Sequence, residues 1–450
     1  MSRVPVMLAL VLLVIPLGAQ SPGPAEPLQV PFRQFQLPNG LNVILHQDRT
    51  VPVVAVNVWY HVGSANEKPG RTGFAHLFEH LMFEGSKNVP EGQFDLLLEA
   101  AGANNNGSTN NDRTNYVIDL PSNALELALF LESDRMAYLL DAMPPEQVNS
   151  QRDVVKNERR QSYENRPYGM ASLEIDKMLW PANHPYSWPV IGHMEDLTAA
   201  SHADVQEFFK RYYSPNNASL VIAGDIDFDR TRALVEKWFS EVPRGTAVEP
   251  IAPPAAVLTQ VKRQTLTDQV SLPRLYLGWL TPRLYAPGDA TLDLVSSVLS
   301  DGKNSRLYKR LVYDDQIAQD VAAFQSSGAL GSSFLIVATA RSGHTVDELQ
   351  KAIDEEVDRL RRSPPEAREV QRALNQVEAS FYRAMERVGG FGGKANQLNA
   401  YYFAGGGPDF FAEDLARYTS LTPADVQAAV VQWLPRDRRI ELVVLPEKKK

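Results

Sequence analysis

Residues 73–85 constrain the fold most, because two histidines stand one helical turn apart there, with a glutamate directly before the second. A helix over this stretch places His76 and His80 on one face. Two imidazoles at that spacing can hold one zinc ion, which in catalytic sites takes three protein ligands and leaves one position for water. Glu79 would then be free to take a proton from that water. The stretch predicts a metal-binding helix that carries a general base.

The order His-x-x-Glu-His is the reverse of the commoner zinc-protease motif and is the signature of the inverzincins. The alternative interpretation is an ordinary amphipathic helix, in which Leu77, Phe78 and Leu81 face a core and the two histidines lie at its edge.

A second helix offers the missing third ligand. Residues 146–164 have a helical pattern that ends before Arg166-Pro167. One face of this helix carries Gln151, Val154, Val155 and Glu158. A carboxylate on an inward-facing stripe needs a partner, and a metal cation would satisfy Glu158. The alternative is a surface salt bridge with Arg159 or Arg160.

The length and charge limit the possible functions. A chain of 450 residues is too long for one core, so two or more domains are expected. The net charge of −9 argues against nucleic acid as a partner.

Residues 1–19 combine a basic start, a short apolar run and small residues before Gln20. This pattern predicts a secretory signal peptide cleaved after Ala19, with an uncleaved anchor as the alternative. The chain has no cysteine, which leaves no lipid-attachment site and no disulfide. We expect a periplasmic or secreted protein without a stable membrane span once the signal is removed.

The rest of the chain alternates strands and helices. In the first half, strands are predicted on both sides of Asn39-Gly40 and over residues 53–62, 114–120 and 220–223, and helices over 124–140, 198–213 and 229–239. His184, His193 and His202 have no ligand-like spacing and are interpreted as structural.

The second half repeats the first. A strand at residues 274–280 and a helix at residues 289–299 follow in the same order as the strand and the motif helix of the first half. Aligning Gly302 with Gly85 puts Asp293, Ser296 and Ser297 at the positions of the motif, so no zinc site is expected there. We predict domains over residues 28–242 and 257–446, joined by a proline-rich linker over 243–256.

Together these residues resemble the M16 metallopeptidases, the family of pitrilysin, insulysin and the mitochondrial processing peptidase, over nearly all of the chain after residue 19. In that family a glutamate some seventy residues after the motif completes the zinc site, and Glu158 in Asn157-Glu158-Arg159 matches it. The resemblance implies one zinc ion per chain, with His76, His80 and Glu158 as ligands and Glu79 as the general base.

The resemblance extends to an edge strand. Residues 106–116 match the family pattern Asn-Ala-x-Thr-x-x-acidic-x-Thr-x-Tyr, with glycine in place of alanine. In relatives this strand pairs with extended substrate. Four residues are therefore implied in substrate binding: Asn106, Gly107, Ser108 and Thr109. The implied fold is α+β, with two similar halves, each a mostly antiparallel sheet covered by helices, facing each other across a chamber.

Two departures from the family stand out. Many relatives carry a second glutamate seven residues before the third ligand, where this chain has Gln151. Active relatives also use an Arg and a Tyr in the second half to bind the substrate carbonyl, whereas alignment at Ser305 puts Val312 and Gln319 there. Neither can stabilise an oxyanion in that way.

The sequence therefore predicts a zinc-dependent endopeptidase that acts on peptides or unstructured segments. A paralogous subunit would supply the Arg/Tyr pair in a heterodimer, with a homodimer as the other assembly. The alternative function is a non-catalytic scaffold subunit with the same fold.

Overall fold

The computed structural model describes residues 29–447, so the predicted signal peptide lies outside the described part. The strands are β1 Arg33–Gln36, β2 Asn42–Gln47, β3 Val53–Tyr60, β4 Asn104–Thr109, β5 Thr114–Pro121, β6 Ala218–Gly224, β7 Lys262–Asp268, β8 Arg274–Thr281, β9 Ala318–Ser326, β10 Ser332–Ala340 and β11 Ile440–Pro446. The helices are α1 Phe74–Leu81, α2 Gln93–Ala100, α3 Leu125–Tyr138, α4 Pro145–Arg159, α5 Met170–Leu179, α6 Met194–Ala199, α7 His202–Tyr212, α8 Phe228–Phe239, α9 Asp289–Ser300, α10 Val346–Arg362, α11 Ala367–Glu386, α12 Lys394–Ala400, α13 Phe411–Thr419 and α14 Pro423–Trp433.

The strands form two sheets of the same design. The first has the order β1-β2-β6-β3-β5-β4 and the second the order β7-β11-β8-β10-β9. Apart from β1, the two orders are the same permutation of five consecutive strands, and one pair in each sheet, β2 with β6 and β7 with β11, is parallel. The predicted α+β fold of two homologous, mostly antiparallel halves is thus confirmed. We call them the N half and the C half.

Each half sends one helix across to the other. Helix α12 of the C half covers the face of the N-half sheet opposite the main N-half core, where Leu398 packs with Ile44 and Val221. Helix α5 of the N half covers the face of the C-half sheet opposite the main C-half core, where Ile175 packs with Leu442. Because each sheet is covered on both faces, its central strands are largely apolar, as the run in β3 shows. The exchange ties the two halves together.

The structure differs from the sequence prediction in one helix and leaves the predicted linker without regular secondary structure. The helix expected over residues 198–213 is wrong as one element, because α6 ends at Ala199 and α7 begins at His202. Ser201 caps α7, where its hydroxyl accepts the N–H of Asp204. The predicted linker, residues 243–256, lies between α8 and β7 and forms neither helix nor strand. The domain limits themselves stay a prediction.

Among residues 29–447, no helix combines the length and the apolar character needed to cross a membrane.

Candidate metal centre

The helix with the two histidines, α1, is held at its start by a buried carboxylate. Glu67 accepts the N–H groups of Gly73 and Ala75, both at 2.8 Å. Gly73 precedes the helix with a φ of 89°, a left-handed conformation that suits glycine. Burial raises the pKa of Glu67, while the backbone N–H groups oppose the shift. The carboxylate occupies the helix N-terminus, where negative charge or hydrogen-bond acceptors are favoured.

The opposite face of α1 is packed into the core. Leu77, Phe78 and Leu81 are fully buried, and Phe78 lies among Phe208, Phe209 and Tyr213 with ring centroids 4.9–5.9 Å away. The amphipathic interpretation of the helix is therefore also correct for these three side chains. Their packing fixes the rotation of α1 and leaves the imidazoles on the other side.

Helix α4 brings Glu158 to this imidazole face. Val155 and Gln151 are buried on the same side of α4, whereas Val154 is 43% exposed. The prediction that Val154 shares the inward stripe is wrong, because it lies about 100° around the helix from Val155. The salt-bridge alternative for Glu158 is also wrong, since the two arginines bond elsewhere: Arg159 to Gly192 and Glu164, and Arg160 to Asn157.

The three predicted ligand atoms form a nearly equilateral triangle. Nε2 of His76 and Nε2 of His80 are 3.4 Å apart, and Oε2 of Glu158 is 3.5 and 3.4 Å from them. Ligand atoms about 2.0–2.1 Å from one tetrahedral zinc ion would lie about 3.3–3.4 Å from each other. Within residues 29–447, this is the one cluster of His, Cys, Asp or Glu side chains that could share a metal ion. The donor set and its size fit zinc.

The electrostatics of the cluster favour ligand-competent side chains. Burial lowers the pKa of His76, with His80 adding to the shift and the carboxylates of Glu79 and Glu158 opposing it. The hydrogen bond with His80 lowers the pKa of Glu158 against the effect of burial. A neutral imidazole beside an ionised carboxylate is the state that binds a cation. Nδ1 of His76 is buried, and no described residue hydrogen-bonds to it.

Exposure of the three ligands increases from one side of the triangle to the other. The side chain of His76 is 10% exposed, that of His80 25% and that of Glu158 42%. The cluster therefore has a buried back and an open front, from which water and a substrate can approach.

Glu79 lies beneath the edge strand of the sheet. A Cβ built on Gly107 of β4 would come 3.1 Å from Cγ of Glu79 and 3.2 Å from the ring of Phe83. No group of the described residues hydrogen-bonds the carboxylate of Glu79. The general base predicted from the sequence is thus close to the strand predicted to bind substrate, and its oxygens are free.

The predicted substrate strand has one open edge. β4 is the last strand of its sheet and pairs with β5 alone. The N–H of Asn110 donates to the carbonyl of Arg113 across the turn. Because residues that hydrogen-bond to the neighbouring strand alternate with residues that do not, the backbone groups of Asn106 and Ser108 point towards β5. Those of Gly107 and Thr109 face outward. The side-chain oxygen of Asn106 accepts the N–H of Gly107 at 2.8 Å.

Sequence reasoning missed one carboxylate near the site. The amide of Gln151 donates to Oε1 of Glu84 at 2.7 Å, and burial raises the pKa of Glu84. Glu84 follows α1 closely, so a scan for acids just after the motif could have found it. Its position gives the neutral side chain of Gln151 an acidic partner.

The C half contains the two residues that the sequence resemblance aligns with an Arg and a Tyr. Val312 is half-buried against the C-half core, and Gln319 is exposed on β9, the edge strand of the second sheet. His184, His193 and His202 belong to no cluster of possible metal ligands within the described chain.

Comparison with known proteins connects these residues to one group of peptidases. Residues 42–176 match the family model described as insulinase (peptidase family M16), and residues 199–377 match the model described as the peptidase M16 inactive domain. The zinc protease PqqE of Helicobacter pylori is 29% identical over 357 residues, which cover 78% of this chain and 79% of that protein.

Solved structures show the same fold. A protease from Helicobacter pylori superposes with a TM-score of 0.86 at 26% identity, over 93% of this chain and 100% of the other. The periplasmic protease PqqL from Escherichia coli superposes with a TM-score of 0.74 at 19% identity, over 93% of this chain and 48% of PqqL. This chain thus corresponds to about half of PqqL.

Proposed function

The chain belongs to the M16 peptidase family, and on that premise we propose that it is a zinc-dependent endopeptidase that hydrolyses peptides or unstructured polypeptide segments. The observation that carries the proposal is the triangle of Nε2 of His76, Nε2 of His80 and Oε2 of Glu158, with sides of 3.4–3.5 Å. Its size and its donor atoms suit one zinc ion, and relatives are named zinc proteases.

In this proposal the three ligand side chains hold the zinc ion and Glu79 moves the proton. A bound zinc ion supplies a Lewis acid that lowers the pKa of water to about 7. The carboxylate of Glu79 takes the proton from the attacking water and passes it to the nitrogen of the leaving amine. The free oxygens of Glu79, beneath Gly107, support this role.

The substrate would bind as an additional strand at the open edge of β4. The outward N–H and C=O groups of Gly107 and Thr109 can pair with an extended peptide. Such pairing uses the peptide backbone, so it selects unstructured segments rather than particular side chains. Before substrate binds, the side-chain oxygen of Asn106 accepts the N–H of Gly107. The Asn106 side chain has to rotate away so that this N–H can pair with the substrate.

We further propose that a paralogous M16 subunit completes the active site. Val312 is packed against the C-half core and Gln319 is exposed on β9, so this chain has no Arg/Tyr pair to bind the substrate carbonyl at the family positions. A partner in a heterodimer would supply that pair; a homodimer of this chain would not. Co-purification from the native host, followed by mass spectrometry, tests for such a partner.

The chain is proposed to act outside the cytoplasm. The pattern of residues 1–19 is that of an exported protein, and one relative of the same fold, PqqL, is named a periplasmic protease. Fractionation of the native host tests the compartment, and N-terminal sequencing of the recovered protein tests whether it begins at Gln20.

The substitution Glu79→Gln tests the proposed chemistry. It keeps the size of the side chain and all three zinc ligands, so zinc content should stay the same while hydrolysis of an unstructured peptide falls by about 10²–10⁴-fold. Activity should be measured with the natural partner present. Retention of most of the hydrolysis would remove Glu79 from the role of general base.

A second candidate function is a scaffold subunit that binds peptide without hydrolysing it. The missing Arg/Tyr pair favours it. It predicts that the complex purified from the host binds peptide at β4 but has no peptidase activity even when loaded with zinc.

A further inference from the structure

The turn that joins β4 to β5 is tied to the start of the motif helix. The N–H of Ser64 donates to the carbonyl of Asn110 at 3.2 Å, and the N–H of Ala65 donates to the carbonyl of Asn111 at 2.8 Å. This loop leads directly to Glu67, which accepts the first N–H groups of α1. The turn and the helix therefore share one support within the N half.

The same turn also contacts the C half through one carboxylate. Oδ2 of Asp112 accepts the N–H of Ala329 at 3.0 Å, and its Oδ1 accepts the hydroxyl of Tyr186. The hydroxyl of Tyr186 in turn accepts the N–H of Leu330 at 3.1 Å. Residues 327–331 form the turn between β9 and β10, the counterpart of the β4–β5 turn. The equivalent turns of the two halves thus meet, with Asp112 and Tyr186 between them.

The contact is closely packed. A Cβ on Gly328 would come 2.7 Å from the hydroxyl of Tyr186, and one on Gly331 would come 2.9 Å from the ring of Trp180. Burial raises the pKa of Asp112, and the hydrogen bonds from Tyr186 and Ala329 oppose the shift. A carboxylate removed from water in this way is favourable only while its partners stay in place.

We propose that Asp112 and Tyr186 are positioning residues that use the C half to hold the substrate strand β4 in place above Glu79. The proposal rests on the proposed function, because it deepens the role of β4 in binding substrate. β4 has a neighbouring strand on one side only. Thr109, one of the two residues whose backbone groups face outward, lies next to the turn. Fixing the turn fixes the backbone groups that an incoming peptide must meet, which lowers the ordering cost of binding.

The substitution Tyr186→Phe removes the hydroxyl and keeps the ring, which lies edge-on to Trp180 at 5.3 Å. Tyr168→Phe is the matched control. The hydroxyl of Tyr168 donates to the carbonyl of Leu272 in the C half at 2.8 Å, so this variant also loses one tyrosine hydrogen bond between the halves. It leaves the β4–β5 turn untouched. A difference between the two variants therefore reports on the turn.

In the active complex, Tyr186→Phe should raise KM for an unstructured peptide by about 5- to 20-fold, because the hydroxyl's hydrogen bonds with Asp112 and Leu330 are both lost. We expect kcat to change by less than about twofold and zinc content to stay the same, since no ligand is altered. Asp112→Asn, which removes the charge, should give the same pattern. The proposal is overturned if KM stays within about twofold of wild type, or if Tyr168→Phe raises it equally.

Amide hydrogen exchange tests the positioning role without any turnover. Residues 104–116 should exchange about tenfold faster in Tyr186→Phe, and at the wild-type rate in Tyr168→Phe. Faster exchange in a protein that proves to have no peptidase activity would support the positioning role and defeat the proposed function. Unchanged exchange in an active enzyme would do the reverse.

Discussion

Helices α1 and α9 occupy the same place in the two halves, yet of the two only α1 contributes side chains to a cluster of possible metal ligands among residues 29–447. Each follows the second strand of the shared five-strand pattern, and each begins after a glycine with a left-handed φ, 89° at Gly73 and 96° at Gly288. The backbone was thus kept while the side chains diverged. The fold of each half depends on apolar faces, and the proposed zinc chemistry on a few polar side chains.

The divergence is clearest where two corresponding pairs of helices pack together, α1 with α4 in the N half and α9 with α11 in the C half. In the N half, Nε2 of His80 is 3.4 Å from the carboxylate of Glu158. In the C half, the hydroxyl of Ser297, which the alignment places at His80, donates to Oε1 of Gln376 at 3.0 Å. The corresponding contact is therefore a neutral hydrogen bond, which packs two helices together and has no affinity for a cation.

The largest effect on zinc affinity is expected when Glu158 of the N half is replaced by glutamine, the residue that makes the corresponding contact in the C half. Glu158→Gln removes the proposed anionic zinc ligand and leaves the helix pair in contact. Loss of a group that only hydrogen-bonds to a metal ligand costs about 10- to 100-fold in metal affinity. Loss of a ligand itself should therefore cost at least about 100-fold in zinc affinity and in activity. Zinc titration and peptide hydrolysis measure both.

The control for Glu158→Gln is Glu146→Gln, the same substitution at an exposed position in the first turn of α4. It should leave zinc affinity within about twofold of wild type. Equal zinc affinity in Glu158→Gln and wild type would mean that the N half binds metal no differently from the C half, and the comparison would fail.

A smaller effect is expected from filling the space between β4 and Glu79. Gly107→Val places methyl groups where a Cβ alone already comes 3.1 Å from Cγ of Glu79 and 3.3 Å from the ring of Tyr116. We expect kcat to fall about 10- to 100-fold with zinc retained, because a small displacement of a catalytic group has effects of this size. Gly107→Ala is the graded control and should lie between Val and wild type. Full activity of the Val variant would argue against this position for Glu79.

The smallest effect is expected at Asp293, which the alignment places at His76. Its carboxylate accepts the hydroxyl of Tyr418 at 2.7 Å, and burial raises its pKa from 3.8 to about 6. A carboxyl whose pKa is higher in the folded protein favours folding below pH 3.8, and this contribution is lost as the pH rises through about 6. At pH 7 the ionised group costs roughly 1–3 kcal/mol.

Asp293→Asn keeps an acceptor for Tyr418 and removes the charge. Urea unfolding should find the variant about 1–2 kcal/mol more stable than wild type at pH 7 and nearly equal to it at pH 4. A variant that is less stable at pH 7 would show that the carboxylate is required in the C half and is not merely tolerated.

The local part of the site could be predicted from the sequence. His76, Glu79 and His80 lie within two helical turns, so their spacing alone defines a face. Glu158 needed the family pattern as well, because helical periodicity gives a face but not the helix that it meets. The same periodicity misjudged Val154, one position away from a buried residue.

The contacts between distant segments could not be predicted. The amphipathic patterns of α5 and α12 indicate a buried face, but they do not tell which sheet covers it, so the exchange between halves was missed. Asp112 and Tyr186 lie in a turn and in an irregular loop, where no periodic pattern exists. Their hydrogen bonds with the N–H groups of Ala329 and Leu330 follow from how the two halves pack, a property of the whole fold.

The central claim is that three side chains from α1 and α4 share one zinc ion and leave a position open for water. X-ray absorption spectroscopy of the zinc-loaded protein tests it most directly, together with metal analysis. The account predicts one zinc ion per chain with two imidazole nitrogens, one carboxylate and one further oxygen ligand, and loss of the imidazole signal in a His76→Ala, His80→Ala variant. Zinc bound without imidazole, or bound equally well by that variant, would contradict it.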